Sequence, residues 1–208
     1  MAVWYLAPQY FLLTPFHGPG IPASQAKTLL QPFLNTLHDL KINYTMTGPQ
    51  DFPTYLDEYN AFQLPVEVNS GQYGGRLIPR SVVADNNDGL VAAVRNIIED
   101  KVAKSMFVGL ALNANQSSVR GNANVNNAVL PAWREALIEA LIVTLVDSLH
   151  CGRRWMLIEL DRPWNYSAPR SYMVALQRRM TEVFIPQLEA VSPGSGSYLN
   201  EVYLSFHF

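Results

Sequence analysis

Cysteine is nearly missing from this sequence: Cys151 is the only one in 208 residues. No internal disulfide can form, no cysteine-based metal site can be assembled, and no thiol pair can carry electrons. Four histidines are present, His17, His38, His150 and His207, and none stands at metal-ligand spacing from another. An excess of basic charge is also missing. The formal net charge is −2, which leaves no electrostatic footprint for nucleic acid. No apolar run reaches the ~18 residues that a membrane span needs; the longest, Ala136 to Val146, is interrupted by Glu139 and Thr144. The opening Met1-Ala2-Val3-Trp4-Tyr5 has no basic stretch leading into an apolar one. No secretory leader is therefore expected, and the expected location is cytoplasmic. The sequons at Asn43, Asn115 and Asn165 would matter only in the secretory pathway. No G-x-G-x-x-G run for a dinucleotide, no internal repeat and no low-complexity linker occur.

What remains is a globular composition, 49% hydrophobic and 15% charged, in a chain long enough for one domain over 1–208 with a real core. Val3 to Leu13 is aromatic and apolar and predicts a strand, ended by the turn-rich Thr14 to Gly20. Ala26, Leu29, Leu30, Phe33, Leu34 and Leu37 recur at helical spacing, with Ser24 as candidate N-cap and Pro32 as a kink. Lys41 to Thr47 alternates like a strand. Asp51 to Tyr59 predicts a short helix, Gln72 to Val83 a strand, and the stretch from Leu90 to Ile98 a helix capped by Asn86 or Asn87. Lys104 to Leu112 predicts a buried strand, and Asn113 to Asn127 a polar loop. Trp133 to Leu149 fits a helical stripe by periodicity. Ala168 to Ala190 predicts a helix, and Tyr198 to Phe206 a last strand. The alternation of strands and helices by itself allows a parallel sheet.

Several segments resemble, in order, the substrate domain of fungal berberine-bridge-enzyme-like FAD-linked oxidases. They are Tyr10-Phe11-Leu12-Leu13-Thr14-Pro15-Phe16, Gln31-Pro32-Phe33-Leu34, Gly74-Gly75-Arg76-Leu77-Ile78-Pro79-Arg80-Ser81, Asn127-Ala128-Val129-Leu130-Pro131-Ala132-Trp133-Arg134 and Pro193-Gly194-Ser195-Gly196-Ser197-Tyr198-Leu199-Asn200-Glu201. The resemblance implies an α+β fold, an antiparallel sheet with helices packed on one face. It also implies a strand, not a helix, over about Trp133 to Val143. Three departures stand out. The flavin-binding domain of that family has no counterpart in the sequence. The tail Val202 to Phe208 diverges. Residues 144–163 look like an insertion.

In that family the sheet roofs the active site and the flavin ring forms its floor. A roof without a floor has no hydride acceptor, which leaves redox-neutral chemistry with no cofactor: cyclisation, cycloaddition, dehydration or isomerisation of a polyketide- or terpenoid-like small molecule. The alternatives are a substrate-binding fragment or subunit of an oxidoreductase, with FAD held elsewhere, and a non-catalytic binder. The former flavin-facing surface is expected to be hidden in a homodimer. Glu201, Tyr198 and Asn200 are the candidate catalytic residues, Glu201 as general base. Strand alternation places Tyr198 with Asn200 on one side and Glu201 on the other. Arg76 could bind a carboxylate or enolate through its planar fork. Tyr59 and Asn60 could enter a cleft from a helix end, Asn113 from the end of a buried strand, and His17 as an acid or base from a Gly/Pro loop.

Overall fold

In the computed structural model the described residues are 1–62, 72–113, 128–144 and 169–198. They divide into two units, Met1–Phe16 with Val68–Phe208, and His17–Glu67.

The larger unit is built on one sheet. Its strands are β1 (Ala2–Ala7), β2 (Tyr10–Phe16), β3 (Gln72–Pro79), β4 (Ser105–Ala111) and β5 (Ala136–Thr144). They lie in the order β2-β1-β4-β5-β3, and every neighbouring pair is antiparallel. The antiparallel fold implied by the resemblance is present. The segment expected as one strand from Val3 is a hairpin, because Pro8 and Gln9 turn the chain between β1 and β2. β5 is a strand despite its helical stripe. It runs through the sheet interior and is apolar on both faces, so its alternation is masked.

Helices cover one face. After β3 the chain forms α3 (Arg80–Asp85) and α4 (Asn87–Ile98); α5 (Arg170–Arg179) leads through a π-helical turn, Met180–Phe184, into α6 (Ile185–Val191). These helices bury Leu90, Val94, Ile97, Met173, Leu176, Phe184 and Leu188 against Ile78, Phe107, Ala140 and Ile142 of the sheet. Two glycines permit close approach on this side. A Cβ at Gly109 would lie 2.1 Å from the Trp4 ring, and one at Gly74 would lie 2.5 Å from Met180 Sδ. Trp4 can therefore lie across β4 and stack on Phe107, with centroids 5.4 Å apart.

An ionic clamp fastens α5 to its surroundings. Arg179 donates through Nε at 2.6 Å, and through Nη2, to Asp100 Oδ2. Asp100 Oδ1 accepts from the backbone N–H groups of Val102 and Ala103 at 3.0 and 2.8 Å. Burial alone would raise the Asp100 carboxyl, but the hydrogen bonds from Arg179, Ala103 and Val102 outweigh it and hold it below the usual range.

The smaller unit carries α1 (Ala23–Asp39) and α2 (Tyr55–Phe62). The residue preceding α1 is Pro22, not Ser24, and Ser24 lies inside the first turn, where its carbonyl accepts from Thr28. The helix absorbs Pro32 without ending. α2 begins at Tyr55, later than the expected Asp51. Lys41 to Thr47 forms no strand; alternation without a neighbouring strand to pair with is not sufficient. The polar loop, apart from Asn113, the 145–163 part of the insertion, and all of the last expected strand except Tyr198 fall outside the described residues.

Candidate functional site

Strand parity divides the sheet into two faces. Trp4, Gly74, Arg76, Ile78, Phe107, Gly109, Ala140 and Ile142 point to the helices. The alternate residues form the opposite face, and the registers line them up in rows. One row runs Tyr10, Ala7, then Met106, Val143 and Tyr73; the next runs Leu12, Tyr5, Val108, Leu141 and Gly75; the third runs Val3, Leu110, Glu139 and Leu77. Met106, Val108 and Val143 are buried, and Val3, Tyr5, Tyr73, Leu110 and Leu141 pack half-buried around them. The result is a second apolar layer, buried at its centre and half-buried at its margin, with a few polar atoms set into it, the residue mix found around small-molecule sites.

Four of those polar groups matter. Tyr10 points its hydroxyl at Met106 Sδ, 3.5 Å away. Tyr5 and Tyr73 are half-buried, and burial raises both phenols above the ordinary 10.0. Glu139 is 6% exposed and stands between Leu110 and Leu77. Sequence reasoning did not select Glu139, Tyr5 or Tyr73. The available signal was a lone acid in the middle of the apolar run Ala136–Thr144.

The phenols give a pH test. The folded state keeps the protons of Tyr5 and Tyr73 to higher pH than the unfolded chain does. Their contribution to stability is therefore complete below pH ~10 and is lost as pH rises toward the folded values. Replacing both tyrosines by Phe should flatten the alkaline fall in urea-unfolding stability. An unchanged alkaline profile would contradict the burial of these two phenols.

The residues singled out from sequence lie in several places. Arg76 is buried on the helix-covered face. Its Nε donates to Ser192 Oγ at 3.1 Å and its Nη2 to the Ser192 carbonyl at 2.9 Å, while Nη1 lies 3.5 Å from Glu189. It thus caps the carbonyl end of α6 and ties it to β3. Burial lowers its pKa, and Glu189 acts in the opposite sense. Asn113 accepts from Arg80 at 3.0 Å and is exposed.

Tyr198 sits edge-on to Trp133, centroids 5.6 Å apart, in a segment that shields the free edge of β3. There Ser195 and Ser197 donate to the carbonyls of Leu77 and Gly75 at 2.5 and 2.7 Å, and the Leu77 N–H donates to the Gly196 carbonyl at 2.7 Å. Asn200 and Glu201 lie outside the described residues. In the smaller unit His17 Nδ1 pairs with Glu58 on α2; Tyr59 is exposed beside Tyr55, ring centroids 6.4 Å apart, and Asn60 is exposed. Among the described residues no group of three or more His, Cys, Asp or Glu could hold a metal ion. Among them, too, no helix is long and apolar enough to cross a membrane.

No family model matches the chain. It is 38% identical over 204 residues to the FAD-linked oxidoreductase patO of Aspergillus clavatus, a match covering 97% of this chain and 31% of that protein. It is 33% identical over 190 residues to the bifunctional decalin synthase calF of Penicillium decumbens, covering 88% and 29%. The crystal structure of the VAO-type flavoprotein MtVAO615 from Myceliophthora thermophila C1 superposes with a TM-score of 0.72 at 21% identity, covering 97% of this chain and 33% of that one. The chain thus spans about a third of the length of the proteins it matches.

Proposed function

Because the chain is homologous to one segment of the FAD-linked oxidoreductases, we propose that it presents a substrate-binding sheet to a small apolar molecule and that the chemistry its own residues perform is redox-neutral. The observation that carries this is the apolar sheet face with Tyr5, Tyr73 and Glu139 set into it. Such a surface can strip a substrate of water and hold it in a reactive conformation, which by itself lowers a barrier by ~7–11 kcal/mol. The Glu139 carboxylate can take a proton from one substrate atom, and the proton returns to another. The substrate is then isomerised or cyclised with no net loss of electrons. The printed name of one relative, a decalin synthase, fits ring formation.

The relatives named FAD-linked oxidoreductases favour a second reading, in which this sheet faces a flavin held by residues outside this sequence. The apolar face is suited to lie over a flat ring. Three of the chain's arginines are already engaged within the fold. Arg76 is committed to Ser192 and Glu189, Arg80 to Asn113 and Arg179 to Asp100. No step is assigned to the dinucleotide.

Saturation-transfer NMR of the purified chain against a panel of neutral polyketides and terpenoids tests the proposal. A binder should emerge whose affinity falls at least about tenfold, ~1.4 kcal/mol, in Tyr73→Ala or Tyr5→Ala. A panel without binders, or binders indifferent to both substitutions, would count against the sheet face as the site.

A further inference from the structure

The helix-covered face holds a row of a different character. Gln72, Thr144 and Ser105 are register partners across β3, β5 and β4: Gln72 pairs with Thr144, and Thr144 with Ser105. Their relative exposures are 1%, 0% and 1%. Gln72 Oε1, Thr144 Oγ1 and Ser105 Oγ have no hydrogen-bond partner among the described residues. Three adjacent buried polar atoms without partners at one end of this face need an explanation, since a buried donor or acceptor left bare is destabilising.

Donor and acceptor chemistry narrows what could satisfy them. Gln72 Nε2 donates to the Met173 carbonyl of α5 at 3.0 Å, which fixes the amide orientation and leaves Oε1 as a pure acceptor. The two hydroxyls can donate or accept, yet they do not bond to each other or to Gln72. Side chains directly opposite on antiparallel strands have Cβ atoms ~4.5–5.5 Å apart, a spacing that one bridging molecule fills. We propose that this row is a binding site for a single internal water. The water donates to Gln72 Oε1 and accepts from the Thr144 and Ser105 hydroxyls. Three bonds is the usual count for such a water, and no charged or larger ligand is called for, because all three groups are neutral. The water completes the attachment of the α5 backbone, through Gln72 and Met173, to three strands at once. This site lies on the opposite side of the sheet from the proposed substrate face and does not depend on it.

The wild-type chain provides the deciding experiment. A water–protein Overhauser measurement should show a long-lived contact between water and the Thr144 methyl group; absence of that contact would overturn the proposal. Thr144→Val and Ser105→Ala supply a second readout. With a bound water, each lowers the urea midpoint, and the double variant loses less than the sum, because the water departs with its first anchor. A midpoint that rises in either single variant would mean that a bare hydroxyl had been relieved, and would equally overturn the proposal.

Discussion

Phe107→Ala should lower the unfolding free energy by ~3–5 kcal/mol, the range for emptying a well-packed aromatic site. Phe107 is 1% exposed at the centre of β4, which is itself interior in the sheet. One side of its ring stacks on Trp4, and it belongs to the same buried cluster as Met173, Leu176 and Phe184 from the helices. The surroundings cannot collapse easily into the gap, because Gly109 holds the Trp4 ring against the backbone. Phe11→Ala is the control. Phe11 also approaches Trp4, at 6.2 Å, but is 47% exposed, so its removal should cost under ~1 kcal/mol. Equal losses at the two positions, measured by urea unfolding, would contradict a core lying between this sheet face and the helices.

The second large effect concerns Glu139. In the proposed reading its carboxylate takes and returns the substrate proton, so Glu139→Gln removes the acceptor and changes size hardly at all. Turnover of the ligand identified by the panel should fall ~10²–10⁴-fold, the usual contribution of a positioned acid or base. The loss should appear in kcat, with KM little changed, because the apolar contacts of Tyr5, Leu110, Leu141 and Tyr73 persist. Leu110→Ala should do the reverse and act mainly on KM. A Glu139→Gln enzyme of undiminished kcat would remove the carboxylate from the chemistry and leave the face as a binding surface alone.

The sheet was legible in part: the strand expected over Lys104 to Leu112 holds β4, whereas the one expected over Gln72 to Val83 ends at Pro79 and passes into α3. β5 was not legible by periodicity, because burial on both faces erases the alternation that distinguishes a strand from a helix; its identity came from the resemblance. The candidate site was less legible, for a different reason. Alternation sorts the residues of β3 into two sets, Gly74 with Arg76 and Tyr73 with Gly75, but it does not say which set the helices cover. That depends on Met180 packing over Gly74 and on Ser192 at the end of α6 receiving the Arg76 guanidinium, contacts made across more than a hundred positions of sequence. Arg76 has the chemistry of an anion receptor or of a structural ion pair; in the fold its guanidinium donates to Ser192 at the end of α6 and stands beside Glu189. Glu139 looked like an interruption in a greasy run, and only the register with Leu110 and Leu77 sets it in the middle of an apolar face.

The central claim is that the sheet face acts on its ligand without a flavin of its own, and titration of the purified 208-residue chain with FAD, followed by flavin fluorescence, tests it most directly. The account predicts no saturable quenching and no flavin band in the protein after gel filtration. Stoichiometric uptake of FAD would contradict it and would make the second reading, a sheet facing a flavin, the function of this chain.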